Sequence, residues 1–155
     1  MKQYLIDFFH YNDWANRRLL EAIKQVSEKD ETVKLFSHLI SAQNKWLNRV
    51  TNERTDSTNE WFGTPLELEQ LESRWNESVT RWLQLLESKN EEDLETTVIF
   101  ARPSDGKKLS VKLCDLVLQI NYHSINHRGQ ILRLLREQGI KAPATDYILT
   151  VFKEV

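Results

Sequence analysis

Apolar residues recur at steps of three and four along most of this chain, and that spacing restricts it to folds built from packed amphipathic helices. Beginning at Leu5, the first stripe runs through Phe8, Phe9, Trp14, Ala15, Leu19, Ile23 and Val26. A polar stretch over residues 27–31 separates it from a second stripe at Leu35, Phe36, Leu39, Ala42, Trp46, Leu47 and Val50. A third stripe carries Leu68, Leu71, Trp75, Val79, Trp82 and Leu86, and a fourth carries Leu113, Val117, Ile120, Ser124, His127, Ile131 and Leu134. Four long helices with mostly short connections predict an all-α four-helix bundle.

The punctuation between stripes refines this reading. Residues 51–63 form a polar loop in which Trp61 and Phe62 are candidates to cover a pocket or form an oligomer surface. Thr64-Pro65-Leu66-Glu67 combines an N-cap residue, a proline at the first helical position and a capping-box glutamate, so the third helix is expected to start at Pro65. The β-branched and aromatic run at residues 96–100 is followed by Pro103-Ser104-Asp105-Gly106 turn chemistry and then residues 107–109, which predicts a short hairpin before helix four. Ser110 is the expected N-cap of helix four and Gly139 its stop, with Pro143 beyond and a short C-terminal helix after Thr145 or Asp146.

Composition removes several function classes. The chain has 155 residues, a length that suits one domain over 1–155 with a core needing no staples. Its 21 basic and 23 acidic residues are interspersed, so no basic face for nucleic acid is expected. Charges interrupt every apolar stretch well short of the length of a membrane span. Asp7 cuts short the apolar start and no small-residue cleavage site follows, which argues against a secretory signal. One cysteine, Cys114, suits a reducing, cytoplasmic setting.

The histidines carry the chemistry. His123 and His127 are four residues apart, the spacing that puts two side chains on one side of a helix, and His127 belongs to the apolar seam. Two imidazoles there can share one ion or simply pair in the core, and a metal requires a third ligand from another helix. His38, beside the second stripe, is the candidate, whereas His10 has no helical partner. Gln130 shares the face of His127 and can orient its ring or a bound ligand. Asn12 and Asn16 can hydrogen-bond to a neighbouring helix backbone, and Trp14 and Trp46 can wall the site or pack in the core. Arg128 suits a structural salt bridge or helix contact more than a substrate clamp, and Gly129 a close helix approach. Cys114 is out of phase with His123 on the helix and is not expected to be a ligand.

The segment His123-Ser124-Ile125-Asn126-His127-Arg128-Gly129-Gln130, with Ile131, Leu134, Leu135, Gly139 and Pro143-Ala144-Thr145-Asp146, resembles the fourth-helix signature of the DinB/YfiT-like superfamily. Tyr11-Asn12-Asp13-Trp14-Ala15-Asn16 and residues 38–46 are similar to its first two helices, so the resemblance covers nearly the whole chain. It implies an up-down-down-up arrangement, a homodimer, and a divalent metal ion held by His38, His123 and His127. It also implies an enzyme acting on a small-molecule substrate, since relatives include thiol-dependent S-transferases, isomerases and metal-dependent hydrolases.

Three neutral imidazoles leave a bound ion electrophilic, able to activate water or a low-molecular-weight thiol. Hydrolysis calls for a carboxylate base, and neither Asp115 nor Glu137 lies on the His123/His127 face, so thiol transfer is the favoured expectation. A metal-dependent hydrolase, a non-enzymatic metal-stabilised bundle and a metal-free binding module are the alternatives. Zinc or nickel suits the three histidines best, with iron or manganese also acceptable.

Overall fold

The computed structural model describes residues 1–52, 63–102 and 104–154. The expected cover or oligomer surface at Trp61 and Phe62, and Pro103 of the hairpin turn, lie outside the described residues. Four long helices carry most of the chain: α1 (Lys2–Ile23), α2 (Asp30–Thr51), α3 (Leu68–Ser88) and α4 (Leu113–Glu137). A two-stranded sheet, β1 (Thr97–Ala101) with β2 (Lys108–Lys112), precedes α4, and a 3₁₀ turn at Tyr147–Thr150 follows it.

Each helix buries the stripe its sequence declares. Leu5, Phe9, Leu19 and Ile23 of α1 meet Phe36, Leu39 and Leu47 of α2, Leu71, Trp75 and Trp82 of α3, and Val117, Ile120 and Ile131 of α4 in one continuous core. The main helix interfaces pair α1 with α3 and α4, and α2 with α3 and α4. Tryptophans fix the register between them, because a buried indole N–H requires an acceptor. Trp82 Nε1 donates to the Gln43 carbonyl at 3.0 Å and Trp75 Nε1 to Asp13 Oδ1 at 2.7 Å. Gln43 Nε2 in turn donates to Ser78 Oγ at 2.9 Å, so α2 and α3 share a buried polar latch.

Several boundaries differ from the sequence expectation. α1 ends at Ile23 rather than Val26, although Val26 is still buried in the core. α3 begins three residues later than the Thr64-Pro65 signal implies. Its N-cap is Glu67, whose carboxylate accepts from the backbone of Gln70 while the Gln70 amide oxygen accepts from the Glu67 N–H at 3.1 Å. The preceding Leu66 N–H is drawn away to Ser37 Oγ on α2 at 3.0 Å, so the chain docks on α2 before it turns helical.

Nor does Ser110 cap α4. It sits in β2 opposite Ile99, because the antiparallel ladder continues to the Thr97–Lys112 pair before the helix can start. The hairpin itself matches the expectation, with Val98 and Val111 turned toward the core and Gly106 at φ +69° in the connecting turn. Gly139 behaves as expected: at φ +74° it ends α4 in a Schellman arrangement, with the Gly139 N–H bonded to Arg136 O and the Ile140 N–H to Leu135 O. Gly129 is no close-approach point. It is exposed, and a Cβ built there meets nothing within 4 Å.

Among the described residues no helix is long and apolar enough to cross a membrane.

Candidate metal centre

Two helices bring the three histidines together. The α4 seam that buries Ile120, Ser124 and Ile131 also buries His127, and the one-turn offset sets His123 above it, half-buried. His38 projects from α2 among Leu35, Leu39 and Ala42 and is 4% exposed. The ring centroids lie 5.0 Å apart for His38–His123, 4.7 Å for His38–His127 and 4.5 Å for His123–His127. One ligating nitrogen from each ring falls within 4.8 Å of the others.

The donor set fits a divalent ion. His38 Nε2 and His123 Nε2 face each other at 3.0 Å, a spacing at which two bare lone pairs repel unless a proton or a cation lies between them. Imidazole ligands at about 2.0–2.1 Å from zinc at a tetrahedral angle stand about 3.4 Å apart, so little adjustment is needed. Across the site, His127 Nδ1 and Gln130 Oε1 are 2.8 Å apart. The amide oxygen accepts the Nδ1 proton, which makes Nε2 the unprotonated, ion-binding nitrogen of His127. Burial, followed by the charges of His127 and His38, lowers the His123 pKa to about 4. That ring is therefore neutral, with a lone pair to offer, at physiological pH.

Trp46 lines a small cavity with His123, Ser124 and Gln43, and its volume of about 10 Å³ has room for no more than a single water. The hairpin and α2 brace this tryptophan: Phe100 of β1 packs edge-on at 5.2 Å and the guanidinium of Arg49 on α2 stacks over the indole at 4.4 Å. Trp14 is elsewhere, packed beside Tyr11 under Arg18.

Asn12 lies in the α1–α4 interface. Its Oδ1 accepts from Asn16 Nδ2 at 3.0 Å and, at 3.4 Å, from Arg128 NH1. Asn16 Nδ2 also reaches Ser124 Oγ at 2.8 Å, so the partner on α4 is a side chain and not the backbone that the spacing suggested. Arg128 is 2% exposed and makes a helix contact, donating to Tyr11 Oη at 2.7 Å, while Tyr11 Oη donates to the Thr145 carbonyl at 2.9 Å. The buried Arg128–Tyr11 pair was not legible in the sequence, since a lone arginine beside a polar face is ordinarily solvated. Cys114 stands at the start of α4 near Glu95 and takes no part in the cluster.

The chain is 24% identical to Protein DinB of Bacillus subtilis (strain 168), in an alignment covering 98% of this chain and 96% of that protein. No solved structure matches it. The model of the DinB family matches residues 1–154, nearly the whole chain, and the chain therefore belongs to the DinB family.

Proposed function

We propose that this protein is a metal-dependent enzyme whose divalent ion is held by His38, His123 and His127, and that it transfers a low-molecular-weight thiol to a small-molecule electrophile. The observation that carries the reading is the convergence of three imidazole nitrogens from two helices within 4.8 Å. A divalent ion in such a site supplies Lewis acidity, lowering the pKa of a bound water or thiol.

The chain's own contribution is orientation and neutrality. Gln130 holds the proton of His127 on Nδ1. Burial keeps His123 uncharged. Trp46 and Ile120 wall off the inner side of His123 from bulk water. Zinc or nickel suits the imidazole set best, with iron or manganese as the other candidates.

Thiol transfer is favoured over hydrolysis because the metal-ligating cluster of the described residues is made of imidazoles, and a thiolate held by the ion needs no separate base once formed. In keeping with the family, the four helices are assigned an up-down-down-up bundle over a single domain at residues 1–155, in a cytoplasmic homodimer.

Elemental analysis of untagged protein tests the reading. About one divalent ion per chain is expected, falling to background in His38→Ala, His123→Ala and His127→Ala. Protein that stays empty after incubation with zinc, nickel and manganese contradicts it. Loaded protein that hydrolyses esters or amides yet transfers no thiol reassigns the reaction to the hydrolases.

A further inference from the structure

The inner side of the histidine cluster has no space for a substrate, but a cleft of about 320 Å³ opens beside His38 on the outer side of α2. Its floor is Ser37, Ser41 and Asn44 of α2, and its far wall is Arg74 of α3. The volume is that of a small-molecule site, and its described lining mixes these polar groups with the apolar Ile40 and Leu66. A ligand lying there is within reach of His38 and of the hydroxyl, amide and guanidinium groups of the lining.

Charge narrows the ligand class. Among the described residues of the lining, Lys34 and Arg74 are cationic and Glu77 is the anion. Each cation is lightly held by a glutamate one turn along its own helix: Lys34 Nζ is 3.5 Å from Glu31 Oε2, and Arg74 NH1 is 3.1 Å from Glu77 Oε2. These are exposed pairs, which an incoming anion displaces at little cost. A guanidinium presents paired N–H groups to a carboxylate, and the Ser37 hydroxyl, which already accepts from Leu66 N–H, retains its own proton to donate. Glu31 and Glu77 nearby disfavour a doubly charged phosphate.

We infer that the α2–α3 cleft beside His38 binds the body of the substrate and selects small polar molecules carrying one carboxylate, which Lys34 and Arg74 hold. This rests on the metal-site reading for the statement that the bound molecule is a substrate; the cleft's preference for a carboxylate is tested independently of it.

The probes are N-acetylglycine and its uncharged counterpart N-acetylglycinamide, titrated into zinc-loaded and metal-free protein while backbone amide resonances are followed by NMR. N-acetylglycine is expected to shift the amides of Ser37, Ser41, Asn44 and Arg74 in both forms. It should bind about three- to fivefold more tightly than the amide, a preference that Lys34→Gln and Arg74→Gln each reduce. Equal binding of the two probes overturns the inference. So do shifts centred on His123 and His127 that both variants leave unchanged, which mean direct ligation of zinc, and so does an absence of shifts in the cleft. Zinc content is measured on the same samples: a protein without zinc that still prefers N-acetylglycine refutes the metal reading alone, and a loaded protein without the preference refutes the cleft alone.

Discussion

His127 Nδ1 and Gln130 Oε1 stand 2.8 Å apart on successive turns of α4, and this contact decides which nitrogen of His127 faces the other two imidazoles. An orienting hydrogen bond of this kind is worth about 10–100-fold in metal affinity. Gln130 is exposed, so competition with water puts the expected loss in Gln130→Ala near the lower end. Zinc titration against a chromophoric chelator measures it, and Gln130→Glu, which retains an acceptor, should keep most of the affinity. Unchanged affinity in Gln130→Ala would mean that the helix alone fixes the ring.

Metal-free protein should lose stability in acid through His123. Its pKa in the folded chain is about 4, below the ordinary 6.5, so between those values the unfolded chain binds the proton more readily. The stability associated with this group is complete above pH 6.5 and declines as pH falls toward 4, where the decline levels off. Urea unfolding across that range should show a shallower slope for His123→Gln than for wild type. Identical slopes would place the acid sensitivity elsewhere.

Arg128 is buried and, among the described residues, is satisfied by Tyr11 Oη and Asn12 Oδ1 rather than by a carboxylate. Burial lowers its pKa, and the neighbouring Tyr11 works against that. Tyr11→Phe removes an acceptor from the guanidinium and a donor from the Thr145 carbonyl, with an expected cost of about 1–3 kcal/mol in urea unfolding. Combined with Arg128→Met the total should fall below the sum of the single losses, because the unpaired charge is then gone. Strict additivity would show that the two side chains act independently.

The start of α3 offers a direct comparison. Glu67→Ala breaks the reciprocal bonds with Gln70 and should cost about 1 kcal/mol. Thr64→Ala, at the position the sequence nominates as the cap, should change stability by less than about 0.5 kcal/mol. Thermal unfolding of both variants decides between the two starts, and a larger loss at Thr64 would reinstate the earlier one.

Helical content, buried faces and candidate ligands were all readable from local spacing along the chain. A repeat of three and four demands helices with one apolar side, which is why the buried positions of α4 from Leu113 to Ile131 follow its stripe. The i, i+4 offset of His123 and His127 is likewise a local property of one helix. Local signals also explain the closing of α4 at Gly139, where a left-handed residue is needed.

Features that depend on contacts between distant segments emerged with the packing of the helices. The His38–His123 approach joins residues 85 positions apart, and no periodicity within either helix specifies it. Helix starts moved for the same reason: Ser37 captures the Leu66 N–H and delays α3, and the pairing of β2 with β1 holds Ser110 in a strand. Arg128 turned inward because Tyr11 and Asn12 of α1 offered it acceptors. In each case two local preferences were close in free energy, and a partner far along the chain settled the choice.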